Sequence, residues 1–371
     1  MASALSLLLG LLGARDGTPV SDWDRRNVCY PTAFEHPASV AEVQSIVHAS
    51  GGRGQIKVIG AGHSFSQCML TDAPSAIMLN LDKMDAMLAQ PTLMRPIVRV
   101  EAGMRLHRLN ELLHPLGFAL ENLGAIAEQS VAGATQTSTH GTGRKLGSLS
   151  ASLVSLTLVL ANASTLNVSA AAHPDIFAAA AVGLGALGVV VEAEVRVVPS
   201  FKLRRTQMPW DLDALLGELP SLNERYERLQ WFWTPNTPNA TLLLREPVPP
   251  STPVQSCWPN GDAASAAGPA GVEGRGHAVE LDVANETCTD WSYKALCHPS
   301  AYDASRALYT EMEYFVPVDE AAALVDDLRD FHAAVAPNLT ALCAPPDCSL
   351  FAGIRYVAAD QNWLSMMYGE S

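Results

Sequence analysis

The reading of this chain turns on Val58-Ile-Gly-Ala-Gly-His-Ser-Phe-Ser66. The apolar run Ile56–Ile59 has the length and β-branched content of a short strand. It leads directly into the loop Gly60-Ala61-Gly62-His63-Ser64-Phe65-Ser66. Glycine admits positive φ and close backbone approach, and successive N–H groups in such a turn converge on an anion. Ser64 and Ser66 add hydroxyl donors. A second loop repeats this chemistry in Glu128-Gln129-Ser130-Val-Ala-Gly133, continuing to His140-Gly141-Thr142-Gly143 with Arg144 and Lys145 just beyond. One such loop is a tight turn. Two together suit a diphosphate, which backbone dipoles can hold without many cations. His63 has three roles open to it, as base, ligand or covalent attachment point, and spacing does not choose among them.

Working outward, Ser39–Ser50 predicts a helix. Val40, Val43, Ile46 and Val47 share one face, and Ser39 with Glu42 forms a capping box. Strands are expected at Ala76–Leu81, Ile97–Glu101, Ser152–Leu160 and Gly188–Val198, with helices at Leu106–Leu113 and Pro174–Val182. Gly183-Leu-Gly-Ala-Leu-Gly188 has the letters of a dinucleotide fingerprint, but here a helix precedes the glycines and a strand follows. That reverses the order which would bring a pyrophosphate to a helix N-terminus, so a Rossmann reading is rejected. The glycines are expected to let a helix and a sheet approach closely. Residues 23–200 thus predict one α+β unit and residues 201–371 a second. The second contains a Pro/Gly/Ala/Ser-rich insertion over 249–276 and a helix over Glu320–Val335.

The composition narrows the function. With 371 residues, 48% hydrophobic and 17% charged, the chain is globular and long enough for about two domains. Its net charge of −14, without a basic block or aromatic-basic stripe, excludes nucleic acid as the expected partner. The first 14 residues carry no charged side chain. Their apolar run is too short to span a bilayer, and residues 1–14 read as a signal peptide. Five N-x-[ST] sequons begin at Asn162, Asn167, Asn239, Asn285 and Asn338. Five of the seven cysteines crowd the C-terminal third, where pairs such as Cys343–Cys348 or Cys288–Cys297 are expected. These features predict the secretory pathway, either the ER lumen or the extracellular space. Neither C-x-x-C nor H-E-x-x-H occurs, so no metal is expected.

Several stretches in combination resemble one family. They are Val58–Ser66, Glu121-Asn-Leu-Gly-Ala-Ile126, Gln129–Gly143, Gly185-Ala-Leu-Gly-Val-Val190, Glu311-Met-Glu-Tyr-Phe-Val-Pro317 and Ile354-Arg-Tyr-Val357. The chain resembles the sugar-1,4-lactone oxidases of the L-gulonolactone and D-arabinonolactone oxidase type, within the vanillyl-alcohol-oxidase-like flavoproteins. The resemblance implies an α+β fold: a two-part, PCMH-type FAD-binding domain, followed by an α+β substrate domain. It implies FAD held along Gly60, Ala61, Gly62, Ser64, Phe65 and Ser66, near Gln129, Ser130 and Gly133, and near His140, Gly141, Thr142 and Gly143. His63 would be the covalent attachment point, Gly124 would lie near the flavin ring with room for O₂, and Val189 would be a further contact. Arg355 would polarise the substrate. The implied reaction oxidises the C2 alcohol of a sugar-1,4-lactone, yields H₂O₂ and belongs to ascorbate-type biosynthesis.

Two departures stand out. Relatives carry Glu-x-Arg where this chain has Gly353-Ile-Arg355, and the chain reaches Ser371 without the His-Trp-x-Lys segment of the family. The resemblance therefore implies a substrate domain shortened at its C-terminus. It leaves two alternatives: a catalytically silent lumenal flavin- or sugar-binding protein, and another alcohol or polyol oxidase of the same superfamily.

Overall fold

The structure is a computed structural model that describes residues 19–51, 55–73, 75–233, 237–257, 286–297, 310–342 and 352–369, the side chains of 336–342 excepted. The proposed signal segment, Cys343, Cys348, Asn285 and residues 258–276 of the insertion lie outside the described residues.

The first unit opens with β1 (Ala33–Glu35), α1 (Val40–Ser50), β2 (Ile56–Ile59) and β3 (Ile77–Asn80). β1 and β2 both run parallel to β3, one on each side of it. The capping box of α1 forms: Ser39 Oγ accepts from Glu42 N–H at 3.2 Å, and Glu42 Oε2 accepts from Ala38 N–H at 3.0 Å. Next come β4 (Met87–Ala89), β5 (Ile97–Glu101), α2 (Leu106–Leu113), α3 (Val131–Gln136), β6 (Leu153–Val159), β7 (Thr165–Ser169), α4 (Pro174–Ala181) and β8 (Val189–Arg196). Their strands form an antiparallel sheet in the order β7-β6-β8-β5-β4. β8 alternates as a half-buried strand must: Val191, Ala193 and Val195 point into the core, while Glu192 and Glu194 meet Arg99 and Arg95 outside. The 183–188 segment joins α4 to β8. A Cβ on Gly188 would stand 2.6 Å from the Val159 carbonyl, so this glycine permits the close approach that the sequence suggested.

The second unit consists of β9 (Lys202–Asp211), α5 (Leu212–Arg225), β10 (Arg228–Trp233), β11 (Asn239–Val248), β12 (Glu286–Trp291), α6 (Ser292–Leu296), α7 (Ala321–Leu342) and β13 (Ala352–Arg355). The strands form one antiparallel sheet, ordered β12-β9-β11-β10-β13. Strand alternation gives this sheet two unlike faces. Leu229, Trp231, Trp233, Leu242 and Leu244 point to one side and pack with Leu212, Leu215, Leu219 and Leu222 of α5 and Val325 of α7. Each such buried side chain contributes about 1.5–3 kcal/mol. The opposite face carries Arg205, Gln207, Arg228, Gln230, Arg245 and Arg355 and is turned toward the first unit.

One expectation is corrected. Cys288 of β12 bonds to Cys257, not to Cys297. Gln255 pairs with Thr289 across a two-strand bridge, which brings Cys257 beside Cys288, whereas Cys297 lies beyond α6 with its buried thiol 3.6 Å from the Gly124 carbonyl. The same contacts hold the start of the predicted insertion in place: Lys202 Nζ donates to the carbonyls of Pro250 and Thr252. Among the described residues no helix is long and apolar enough to cross a membrane.

Candidate active site

The two glycine loops meet. A Cβ built on Gly60 would lie 2.5 Å from Ser130 Oγ, so a side chain there would displace the Ser130 hydroxyl. Ser130 caps α3 by accepting from Gly133 N–H at 3.1 Å. Gly62 takes positive φ (75°), and its carbonyl accepts from Trp23 N–H at 2.8 Å and Ser64 N–H at 2.7 Å. That turn leaves the N–H groups of Ala61, Gly62 and His63 without an acceptor among the described residues, an arrangement suited to an anion. Ser66 Oγ accepts from Cys68 N–H and opens a short 3₁₀ turn, and Ser64 Oγ is 3.4 Å from Ser66 Oγ. Phe65 sets its ring edge-on to Trp23.

His63 is stacked on Trp23, with ring centroids 5.1 Å apart and planes at 22°. Enclosure by protein, aided by the nearby Arg105 charge, pushes the imidazole pKa down to about 4. The ring is therefore neutral and nucleophilic at physiological pH. Arg105 stands just before α2, donates to the Glu128 carbonyl at 3.0 Å and pairs with Ser130 along the backbone. Sequence reasoning missed both Trp23 and Arg105, because neither belongs to a periodic pattern or a glycine motif.

The second loop is pressed onto residues 122–124. A Cβ on Gly141 would lie 2.3 Å from the Leu123 carbonyl, and Asn122 Nδ2 donates to the Thr142 carbonyl at 3.2 Å. Thr142 and Gly143 also reach the second unit. Gly143 N–H donates to the Tyr356 carbonyl, Tyr356 N–H donates to Thr142 Oγ1, and Thr142 Oγ1 donates to the Leu229 carbonyl. Arg355 is thereby fixed one residue from this loop. Gly124 has the Thr139 methyl 3.1 Å from where its Cβ would be, which bounds the space beside it. Val189 is buried at the start of β8 against Val159, and no described contact ties it to the loops.

Two carboxylates from the irregular segment 310–317 complete the site. Glu313 Oε1 is 3.2 Å from His140 Nε2, close enough for charge pairing but out of line for a hydrogen bond. Solvent reaches 48% of the Glu313 side chain. Glu311 is solvent-exposed, yet the protein packed around its carboxyl pushes it above the usual carboxylate range; Arg355 opposes this and Glu313 adds to it. Burial acts on Glu313 too, but contact with His140 and the Arg355 charge hold it below that range.

Enclosed atoms without partners show what this cradle fits. Gln129 Nε2 donates to Thr139 Oγ1, while the buried Gln129 Oε1 has no partner. Buried polar atoms are normally satisfied, so this amide oxygen is suited to a ligand donor. Free main-chain N–H groups for a diphosphate, with an amide edge for a polar heterocycle, fit FAD.

Comparisons with known proteins agree. Residues 31–169 match the family described as FAD binding domain. An L-gulonolactone oxidase of Bos taurus is 33% identical over 65% of this chain and 55% of its own length. A D-arabinono-1,4-lactone oxidase of Kluyveromyces lactis is 32% identical over 66% of this chain and 47% of its own. An L-gulono-1,4-lactone dehydrogenase of Mycobacterium tuberculosis is 29% identical over 94% of this chain and 80% of its own. The chain thus spans about half the length of the first two. Among solved structures, a solvent-stable cholesterol oxidase superposes with a TM-score of 0.56 at 20% identity, covering 67% of this chain and 52% of that one, a likeness of fold.

Proposed function

Because the chain belongs to the sugar-lactone oxidase family of FAD flavoproteins, we propose that it oxidises the C2 alcohol of a sugar-1,4-lactone, with O₂ as final acceptor and H₂O₂ as product. L-Gulono-, L-galactono- and D-arabinono-1,4-lactone are the candidate substrates, in a reaction of ascorbate-type biosynthesis. The observation that carries the reading is the meeting of Gly60 with Ser130, which makes one anion cradle from two distant loops. When bound, FAD supplies the hydride acceptor. Ala61–His63 and Ser130 hold the diphosphate side. His63, neutral and backed by Trp23, is placed for covalent attachment. Arg355 draws electron density from the substrate oxygen. Glu311, on which the Arg355 charge acts, accepts the hydroxyl proton. Gly353 shares the Arg355 face of β13, and in this proposal the task of the family's glutamate falls to the carboxylates of the 310–317 segment, the strap.

The compartment belongs to the same proposal. Asn162, Asn167 and Asn239 are all exposed, as glycan acceptors must be, and the Cys257–Cys288 bond suits an oxidising lumen. The test is direct. Protein purified from a secretory host should be yellow and stay yellow after acid precipitation, and it should release H₂O₂ with one of the three lactones. Colour passing to the supernatant would sink the covalent link. Bound flavin without turnover would favour the silent binding protein, and turnover with a dye but not O₂ would favour a dehydrogenase.

A further inference from the structure

The polar face of the second sheet holds more positive charge than a neutral lactone requires. Register places Arg205 of β9 directly across from Arg245 of β11, and Arg245 directly across from Arg228 of β10. Arg355 of β13 sits opposite Gln230, two residues further along on the same face. The four guanidinium groups therefore rise from one side of one sheet. Arg245 is at the centre. Its Nε donates to the Ala295 carbonyl at 3.0 Å and one terminal nitrogen donates to Gln230 Oε1 at 3.3 Å. The ionisable groups that act on it are Arg205, Arg355, Arg228 and the Cys297 thiol. No carboxylate is among them. Burial and these like charges pull the guanidinium down to about 9, and burial pushes the Cys297 thiol up to about 12, so the thiol gives no negative charge near neutrality. Arg228 is 6% exposed; one terminal nitrogen donates to the Glu121 carbonyl at 2.9 Å and the Glu121 and Glu227 charges act on it, but its buried Nε has no hydrogen-bond partner.

An enclosed cation among cations is costly unless an anion joins it. Glu311 and Glu313 act on Arg355 and not on Arg245. Arg245 as a residue is only partly buried. A guanidinium fork matches a carboxylate in two parallel hydrogen bonds.

We infer that the arginine row of the second sheet, centred on Arg245 and flanked by Arg228 and Arg355, is a carboxylate site that takes the open-chain sugar acid formed when water opens the lactone ring. This rests on the proposed lactone site, because the acid and the lactone would share its hydroxyl contacts. The sugar acid then competes with the lactone and binds more tightly than either the lactone or the neutral alditol of equal length.

The test measures binding, not turnover. Holoprotein is titrated by calorimetry with L-gulonate, L-gulono-1,4-lactone and glucitol at fixed ionic strength, with sodium chloride as the control anion. L-Gulonate should bind at least about tenfold more tightly than glucitol. Arg245→Met should remove that preference while leaving the lactone Kd within about threefold; Arg245→Lys should keep part of it, since charge survives but the fork is lost. Circular dichroism and flavin content establish that each variant is folded, and if the Met variant fails to fold, the Lys variant alone decides. Equal affinity for acid and alditol, or an acid preference unchanged in the variants, overturns the inference. A change only in the flavin spectrum of Arg245→Met, with acid binding intact, assigns the row to the cofactor and overturns it as well. The two proposals fail separately: acid binding without lactone oxidation removes the activity and keeps this site, and oxidation without acid preference does the reverse.

Discussion

The two halves of the site prepare for negative charge in opposite ways. The first unit uses main chain: Ala61, Gly62 and His63 turn their N–H groups outward because glycine permits the turn, and Gly60 leaves the space that Ser130 fills. The second unit uses side chains: Arg205, Arg228, Arg245 and Arg355 project from neighbouring strands of one sheet. Backbone dipoles carry no net charge and need no counterion, so such a cradle tolerates an acidic protein and stays neutral when empty. Guanidinium groups act over longer range, but their enclosure weakens the fold until an anion arrives. A permanent cofactor suits the first arrangement, and an exchanging small molecule suits the second.

The comparison can be broken most severely at Gly60. Gly60→Val places a branched side chain where a single carbon already lies 2.5 Å from Ser130 Oγ. It should part the loops and lower flavin content at least about tenfold, read from the absorbance ratio of purified protein. Arg355→Met leaves the cradle intact. It should retain flavin but lower kcat/KM by about 10²–10³, as expected when a preorganised charge at the reacting oxygen is lost. A smaller effect concerns His63. Its folded pKa lies near 4, below the ordinary 6.5, so between these values the unfolded chain takes up a proton that the folded protein refuses. The stability contribution is present above pH 6.5 and is lost as pH falls toward 4. The Tm of flavin-free protein should drop across that window, and His63→Gln should flatten the drop. The smallest change is expected for Gly353→Glu. Its Cβ meets the Phe232 ring at 3.2 Å, so the ring must yield slightly. With Glu311 already able to take the proton, kcat should shift by less than about threefold; a rise of 10² or more, the usual worth of a general base, would show that the strap carboxylates are not performing this task.

The same contrast explains what could be read from the sequence. Glycine loops are local signals. Gly60–Ser66 and Ser130–Gly143 stand out because the conformation needs those residues in consecutive order, and the strands and helices around them keep their 2- and 3.6-residue periods to within a residue or two. The arginine row has no local signal. Arg205, Arg228 and Arg245 become neighbours only through antiparallel register, and Arg355, 110 positions beyond Arg245, came to notice through resemblance alone. The same reason misdirected the cysteine pairing. Cys288 and Cys297 are close in sequence, but β12 and α6 separate them, and Cys257 reaches Cys288 through a bridge at Gln255 that no spacing rule anticipates.

The stitch between Thr142, Gly143 and Tyr356 sets an order of events during synthesis. The loop that would grip the prosthetic group is completed by backbone partners over two hundred residues downstream. A growing polypeptide can build the first cradle early, yet it can close the second loop only once Tyr356 has cleared the ribosome and β13 has docked. Flavin binding by both loops, as proposed, should thus be a late milestone, reached when both halves have been made and joined.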